Sequence, residues 1–395
     1  MPSPLEGRRL WLAGIGGAGM SGYALLAHAW GAEVRGWDRV RTPYLAHLPE
    51  DVDVQISPDP PVPPRGWEPF VSTAFAGRVE GKSRAELLSE LVALRDSIVV
   101  AGAHGKTTTT AMIAYVLRKL GGDPSFLIGG DVPQLGGNAG AGEGWLVVEG
   151  DESDRTIEAL RAHIAVVTNV DLDHHSTFAS RAEVEDLLER WLVTAPHAVR
   201  GDELEPFAGD LAIEGEHNRR NAAAALAALE AAGLESSEAE RALAGFVGVA
   251  RRLERRGEAA GVEVFDDYGH HPAEVAAVLA ALRQNGRRVL VLFQPHLYSR
   301  TRHLAHDFAA ALSSADAVAV ADVYPAREEP IEGVTGKLVV DALAEVRPGM
   351  PIAWTPNAED GATFLVERAR PGDCLLTLGA GDVDRTVPLL LESLS

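Results

Sequence analysis

The sequence contains very little cysteine or lysine. Its one cysteine, Cys374, excludes an intramolecular disulfide and fits a reducing compartment. Lysine occurs only at Lys82, Lys106, Lys119 and Lys337, so arginine carries most of the positive charge. Basic residues number 36 against 57 acidic ones, a net charge of -21. Neutralising phosphates along a nucleic acid needs basic surface, so general nucleic-acid binding is disfavoured. No apolar run approaches the ~18 residues of a membrane span. Met1 to Leu10 carries Glu6 and lacks the apolar core of a signal peptide. A cytoplasmic location is the expectation. Apolar residues make up 46% and charged residues 24%, which fits a folded globular chain and excludes a mostly disordered one. At about 150 residues per domain, 395 residues correspond to two or three domains.

Apolar strands alternate with helices along the chain, and this alternation predicts an α/β fold with parallel sheets. A strand at Arg9 to Ala13 precedes glycines and a helix from Met20 to Trp30. A second block starts with a strand at Ser97 to Ala101, again followed by glycine and a helix from about Thr107. Further apolar runs lie at Trp145 to Val148 and Ile164 to Thr168. An alanine-rich helix from Asn218 to Ala232 ends at Gly233, a residue type suited to a C-cap. Third-block strands are predicted at Val262–Phe265, Arg288–Phe293, Ala317–Asp322 and Cys374–Leu378. The Pro-rich stretch from Ser57 to Pro64 is a loop. Domain boundaries are expected near 95 and 248.

The polar residues gather directly after the strands. AGAHGKTTTT at 101–110 sits between a strand and a helix. Gly102 and Gly105 let backbone N–H groups approach a phosphate, and the helix N-terminus adds positive potential. Lys106 suits the outer phosphates, and the Thr107 hydroxyl suits Mg²⁺. Val100 stands where the longer form of this pattern has glycine, and an incidental GKT at a helix start is the competing reading. GIGGAGMSG at 14–22 places Gly14, Gly16 and Gly19 after a strand as G-x-G-x-x-G. That loop suits a dinucleotide, another diphosphate, or a tight turn with no ligand. Asp38, about 20 residues on, keeps a nicotinamide cofactor open. VEGDESD at 148–154 ends a strand with carboxylates of the kind hard cations prefer. TNVDLDHH at 168–175 offers Asp173, His174 and His175, although Mg²⁺ rarely selects imidazole. HNRRN at 217–221 has groups to hydrogen-bond a nucleotide, while N-capping by Asn218 explains it equally well. DDYGHHPAE (266–274), FQPHLYSRT (293–301) and GAGD (379–382) each follow a strand and supply acid–base and anion-binding groups.

In this order, these strings together with DPSFLIGG, GEHNRRNAAAA, RRLERRG and VYPAREEPI closely resemble the Mur ligase family over nearly the whole chain. The resemblance implies three domains: a Rossmann-like UDP-sugar domain (1–95), a P-loop ATPase domain with a mostly parallel sheet (96–248) and a Rossmann-like C-terminal domain (249–395). It implies ATP-dependent, ADP-forming joining of L-alanine to the carboxylate of UDP-N-acetylmuramate through an acyl phosphate. A tripeptide-recycling ligase of the family and a catalytically impaired nucleotide-binding homologue remain as alternatives. It implies Gly14, Gly16, Gly17, Gly19, Met20 and Ser21 at the UDP-sugar, with Asp38 an ordinary loop residue. It implies Gly102, Gly105, Lys106, Thr107, Thr108, His217, Asn218, Asn221, Arg252 and Asp266 at ATP, with Arg251 the alternative to Arg252. Thr107, Glu149 and His174 would hold Mg²⁺. His104, Tyr268, His271 and His296 would lie at the substrate, and Lys106, Asp267, His270 and Arg300 at the chemistry. His270 would serve as base for the amine. Closure of domains around the substrates would exclude water. A monomer and a dimer both remain open.

The sequence departs from the family pattern in several places. The stretch from Phe178 to His217 is short, so the central domain is expected to be reduced. Leu297 stands where the family usually has arginine, Arg327 where it has glycine and Ser176 where it has aspartate. No lysine lies between 120 and 336, which excludes the carbamylated lysine that several relatives use.

Overall fold

The computed structural model describes residues 3–152, 155–172, 177–284, 286–326 and 328–395. Its contacts divide the chain into two compact units. One comprises 1–212 and 218–249, the other 213–217 and 250–395.

The first unit contains two sheets. The first is built from β1 (Arg9–Ala13), β2 (Glu33–Asp38), β3 (Asp53–Ile56), β4 (Glu68–Val71) and β5 (Lys82–Ser83). Their order is β3-β2-β1-β4-β5 and every pairing is parallel. The second sheet has β6 (Ser97–Ala101), β7 (Ser125–Val132), β8 (Gly137–Gly140), β9 (Leu146–Glu149), β10 (Ile164–Val167) and β11 (His197–Arg200). Its order is β11-β10-β6-β9-β7-β8, parallel except for the β7–β8 pair. The strand SIVVA of β6 is buried at every position. Such unbroken apolar runs are what a parallel sheet covered on both faces requires.

The second unit holds β12 (Glu254–Ala259), β13 (Val262–Asp267), β14 (Val289–Phe293), β15 (Ala317–Val320), β16 (Ile352–Trp354) and β17 (Cys374–Leu378). Their order is β12-β13-β17-β14-β15-β16, with only β12–β13 antiparallel. Cys374 is a free, buried thiol within β17. The fold is therefore α/β, with three sheets that are mostly parallel.

The helices are α1 (Ala18–Ala29), α2 (Arg84–Ala93), α3 (Lys106–Lys119), α4 (Arg181–Leu192), α5 (Glu216–Ala231), α6 (Ser236–Leu243), α7 (Pro272–Arg283), α8 (Tyr298–Leu312), α9 (Lys337–Val346), α10 (Ala358–Val366) and α11 (Val387–Leu394). Among the described residues no helix is long and apolar enough to cross a membrane.

Within the first unit, α1 bridges the two sheets. Asn138 Nδ2 donates to Ala18 O at 3.2 Å. A Cβ on Gly22 would lie 2.8 Å from Leu127 and 3.1 Å from Ala139, so glycine permits this close approach. One buried cluster includes Leu12 and Ala24 of the first layer with Leu127 and Val148 of the second.

Three local expectations are corrected. Helix α1 begins at Ala18, because Gly17 already has the extended conformation of a cap. Helix α5 begins at Glu216, so Asn218 lies in its first turn and is not the N-cap. Asp38 is not a loop residue: it ends β2, is 7% exposed, and accepts Gly16 N at 2.8 Å and Arg39 N at 2.7 Å. Gly233 does follow α5 in the left-handed region, with φ +88 and Leu234 N donating to Leu229 O. The segment from Phe178 to His217 contains α4, β11 and a single loop leading to α5.

Candidate active site

In the first unit, the loops after β6, β9 and β10 leave the same edge of a parallel sheet, where α/β folds bind ligands. The phosphate loop after β6 depends on two glycines in the left-handed region. Gly102 has φ +120, and a Cβ there would meet Thr168 Oγ1 at 2.5 Å. Gly105 has φ +81, caps α3, and would carry a Cβ 2.1 Å from Asn221 Oδ1. The loop is braced from β10's end. Thr168 Oγ1 and Asn169 Nδ2 donate to His104 O, and His104 N donates to Asn169 Oδ1 at 2.9 Å. Asn221 Nδ2 donates to Asn218 Oδ1 at 3.3 Å, and both residues are buried.

Lys106 opens α3 and folds back over its own loop. Its ammonium donates to Gly102 O at 2.6 Å, Ala103 O at 3.3 Å and Glu152 Oε1 at 2.8 Å. Burial opposes its charge, but Glu152, Glu149 and Asp151 outweigh this and hold its pKa above the ordinary value. Thr107 Oγ1 donates to Glu149 Oε1 at 2.9 Å, and Gly129 N donates to Glu149 Oε2 at 2.6 Å. Thr107 and Thr108 are both buried. A hydroxyl and a carboxylate side by side form an oxygen donor set of the kind a hard divalent cation takes. His174, expected to complete that set, lies outside the described residues, as do Asp173, His175, Ser176 and Arg327.

The first glycine loop is also held tightly. Gly14 has φ +83, and a Cβ on it would lie 2.2 Å from Ser72 Oγ. Thr42 Oγ1 donates to Gly16 O at 2.6 Å, and Gly17 caps α1. Gly19 has ordinary space around it. Met20 is 3% exposed within the core, and the Ser21 hydroxyl donates to Ala18 O.

In the second unit, β13, β17, β14 and β15 are parallel neighbours, so their following loops share one edge. Asp266 and Asp267 end β13 and point to opposite sides of it. Asp266 is fully buried; it accepts Arg251 Nε at 2.9 Å and Thr377 Oγ1 at 2.6 Å. Burial pushes its carboxyl up, partly offset by Arg251. Arg251 Nη1 and Nη2 also donate to Gly381 O and Gly379 O, tying the GAGD loop to β13. The Arg251 and Arg252 guanidinium groups each lie 5.2 Å from the Tyr268 ring. Asp267 accepts Gly269 N and Leu253 N, and burial pushes its carboxyl up to about 6.

The DDYGHHP turn leads into α7, whose N-cap is His271. Glu274 reaches back to accept His270 N at 2.9 Å and His271 N at 3.2 Å. His270 and His296 have ring centroids 5.7 Å apart, and Tyr324 stacks on His296 at 6.0 Å. Arg300, in the first turn of α8, donates to His296 Nδ1 at 3.3 Å. Burial, His270 and Arg300 together lower His296 to about 4. Leu297 precedes α8 at φ +69, an unusual conformation for a branched side chain. His217 belongs to this unit, and burial lowers its pKa. The sequence analysis missed Thr168, Asn169, Glu152, Arg251's tie to the GAGD loop, and Tyr324. All five lie inside strings that drew attention for other residues.

Two family models match the chain. The Mur ligase middle domain covers residues 100–189, and the Mur ligase glutamate ligase domain covers 251–381. A relative from Renibacterium salmoninarum is 38% identical over 98% of this chain and 96% of its own length. One from Kineococcus radiotolerans is 39% identical over 98% and 96%. A solved structure from Thermotoga maritima, a UDP-N-acetylmuramate–alanine ligase, superimposes with a TM-score of 0.77 at 24% identity, covering 97% of this chain and 98% of that one. With a phosphate loop on one sheet edge and matching domains on either side of residue 250, the chain belongs to the Mur ligase family. Within that family, the Renibacterium and Kineococcus relatives are named UDP-N-acetylmuramate–L-alanine ligases. The Renibacterium alignment runs over 452 positions for a chain of 395 residues, in keeping with a shortened sequence.

Proposed function

We propose that this chain joins L-alanine to the carboxylate of UDP-N-acetylmuramate, with ATP converted to ADP and phosphate, in peptidoglycan precursor synthesis in the cytoplasm. The observation that carries this reading is near-complete alignment, at 38% identity, with a relative of that name. We read the first unit as a sugar-nucleotide domain (1–95) and an ATPase domain (96–248), with 249–395 as the third domain.

In this reading Gly14, Gly16, Gly17 and Gly19 approach the diphosphate of the sugar nucleotide through their backbone. Gly102, Gly105, Lys106 and Thr108 surround the ATP phosphates, with Asn218, Asn221, His217 and Arg252 at the nucleotide. Thr107 and Glu149, whose oxygens lie 2.9 Å apart, would hold Mg²⁺ with His174. The ion, when bound, neutralises charge on the phosphates. Phosphoryl transfer needs little covalent help from the protein, so positioning and charge neutralisation dominate. Lys106 supplies a fixed cation where negative charge develops. The substrate carboxylate attacks the γ-phosphate, and the amine of alanine then displaces phosphate from the acyl carbon. A neutral amine is required, and His270 takes its proton. His270 suits this role because Glu274 fixes its backbone and its Nδ1 lies 3.2 Å from Tyr268 O. Arg300 and Tyr268 lie beside it as groups for anion and ring contact. Asp266 and Asp267 act by holding Arg251 and the turn at Gly269.

The test is phosphate release from ATP with Mg²⁺, UDP-N-acetylmuramate and a panel of amino acids, with the product mass measured. Release that needs both the sugar nucleotide and L-alanine, with the matching mass gain, is the expected result. Release only with a tripeptide acceptor would replace this reading with the recycling ligase.

A further inference from the structure

The Lys106 ammonium has three protons, and each has an acceptor: Gly102 O, Ala103 O and Glu152 Oε1. Two acceptors are neutral carbonyls of the phosphate loop itself. The third is a carboxylate from the segment after β9, and its side chain is only 2% exposed. An arriving phosphate therefore finds every donor of this ammonium engaged. Of the three acceptors only Glu152 carries charge, so it alone adds the attraction of an opposite charge to its hydrogen bond. Glu152 is accordingly the main competitor of a phosphate for Lys106.

This step rests on the nucleotide reading of the phosphate loop given above. We propose that Glu152 is a positioning residue that holds Lys106 folded on the loop and yields it to the outer phosphates of the nucleotide. A buried ammonium needs a counter-ion when no phosphate is present. Glu152 supplies one and keeps the lysine aimed along the loop. The same contact opposes nucleotide binding, because Lys106 must loosen from Glu152 as it engages phosphate. Glu152 thus weakens binding of the ground state while fixing the cation for the reaction.

The experiment titrates a fluorescent ADP analogue into full-length protein in EDTA, with no sugar nucleotide and no amino acid. Glu152→Gln keeps the volume and an acceptor oxygen but removes the charge. Glu152→Asp keeps the charge but withdraws it by about one C–C bond, ~1.5 Å. The expected result is ADP binding tighter by about three- to tenfold in Glu152→Gln, with Glu152→Asp shifted in the same direction. In the complete reaction, KM for ATP falls while kcat also falls, a split that simple loss of folded protein does not produce. Thermal melting of each variant reports its folding separately. Wild-type affinity in both variants, or weaker binding in both, overturns the proposal. Tightening in Glu152→Gln alone, with Glu152→Asp at the wild-type value, assigns the effect to long-range repulsion and also overturns it. Absence of ADP binding to the wild-type protein would instead remove the nucleotide reading itself.

Discussion

Gly105 and Asn221 are 116 positions apart in sequence, yet a Cβ on Gly105 would sit 2.1 Å from Asn221 Oδ1. The phosphate loop and the first turns of α5 are therefore fitted to each other with no spare volume. Gly105 also holds φ +81, which side-chain-bearing residues adopt with strain. Gly105→Ala is expected to displace the loop from α5 and to lower kcat/KM for ATP by about 10²-fold. Steady-state kinetics with ATP varied checks this. A companion Asn221→Ala change in the same background should relieve the clash but not the strain, so it should restore only part of the activity.

Lys106→Ala is expected to abolish phosphate release. It also removes the cation facing the buried Glu152 carboxylate at 2.8 Å. Breaking one side of a buried pair is strongly unfavourable, so stability should fall by about 3 kcal/mol. Denaturant unfolding of Lys106→Ala against Lys106→Ala with Glu152→Gln measures this. The double variant should recover part of the loss while remaining inactive.

Arg251 donates from three nitrogens to Asp266, Gly379 and Gly381. Lysine has a single charged nitrogen and cannot reproduce that planar fork. Arg251→Lys should therefore destabilise the protein by about 2 kcal/mol, mainly through the unsatisfied carbonyls and the buried Asp266. Chemical denaturation detects the change. Arg252→Lys, altering a half-buried residue beside Tyr268, should have a much smaller effect on stability.

The half-buried His296 and the buried Asp267 of the second unit titrate with opposite effects on stability. His296 is lowered from 6.5 to about 4, so its contribution is present above pH 6.5 and is lost as pH falls towards 4. Asp267 is raised from 3.8 to about 6, so its contribution is present below pH 3.8 and is lost as pH rises through 6. Unfolding free energies measured from pH 4 to 7 should show this in variants. His296→Asn should flatten the acid-side loss. Its stability deficit relative to wild type should shrink as pH falls through this window.

The strands carrying the site were legible because parallel, two-sided burial demands continuous apolar runs. Ser97–Ala101 and Cys374–Leu378 were predicted at their observed limits. The glycine, lysine and threonine of the phosphate loop were legible because the turn needs left-handed backbone at fixed spacing. Asp38 was misjudged because its partner, Gly16 N, lies 22 residues earlier and only the sheet brings them together. The alternative of Asn218 as an N-cap fails because α5 starts two residues sooner. Met20 had a motif's position but a core side chain's burial, which a short string does not reveal.

The sequence by itself determined the alternation of strands and helices, the order of the motifs, and the exclusion of an intramolecular disulfide by a lone cysteine. These follow from local rules: apolar periodicity, glycine's backbone freedom and residue counts. Only the tertiary structure decided that Glu152 meets Lys106, that Arg251 joins Asp266 to the GAGD loop, and that Asn221 closes on Gly105. Each of these joins chain segments separated by a sheet crossover or more. Hydrogen bonds and close packing act over a few ångströms of space, and separation along the chain does not encode that distance.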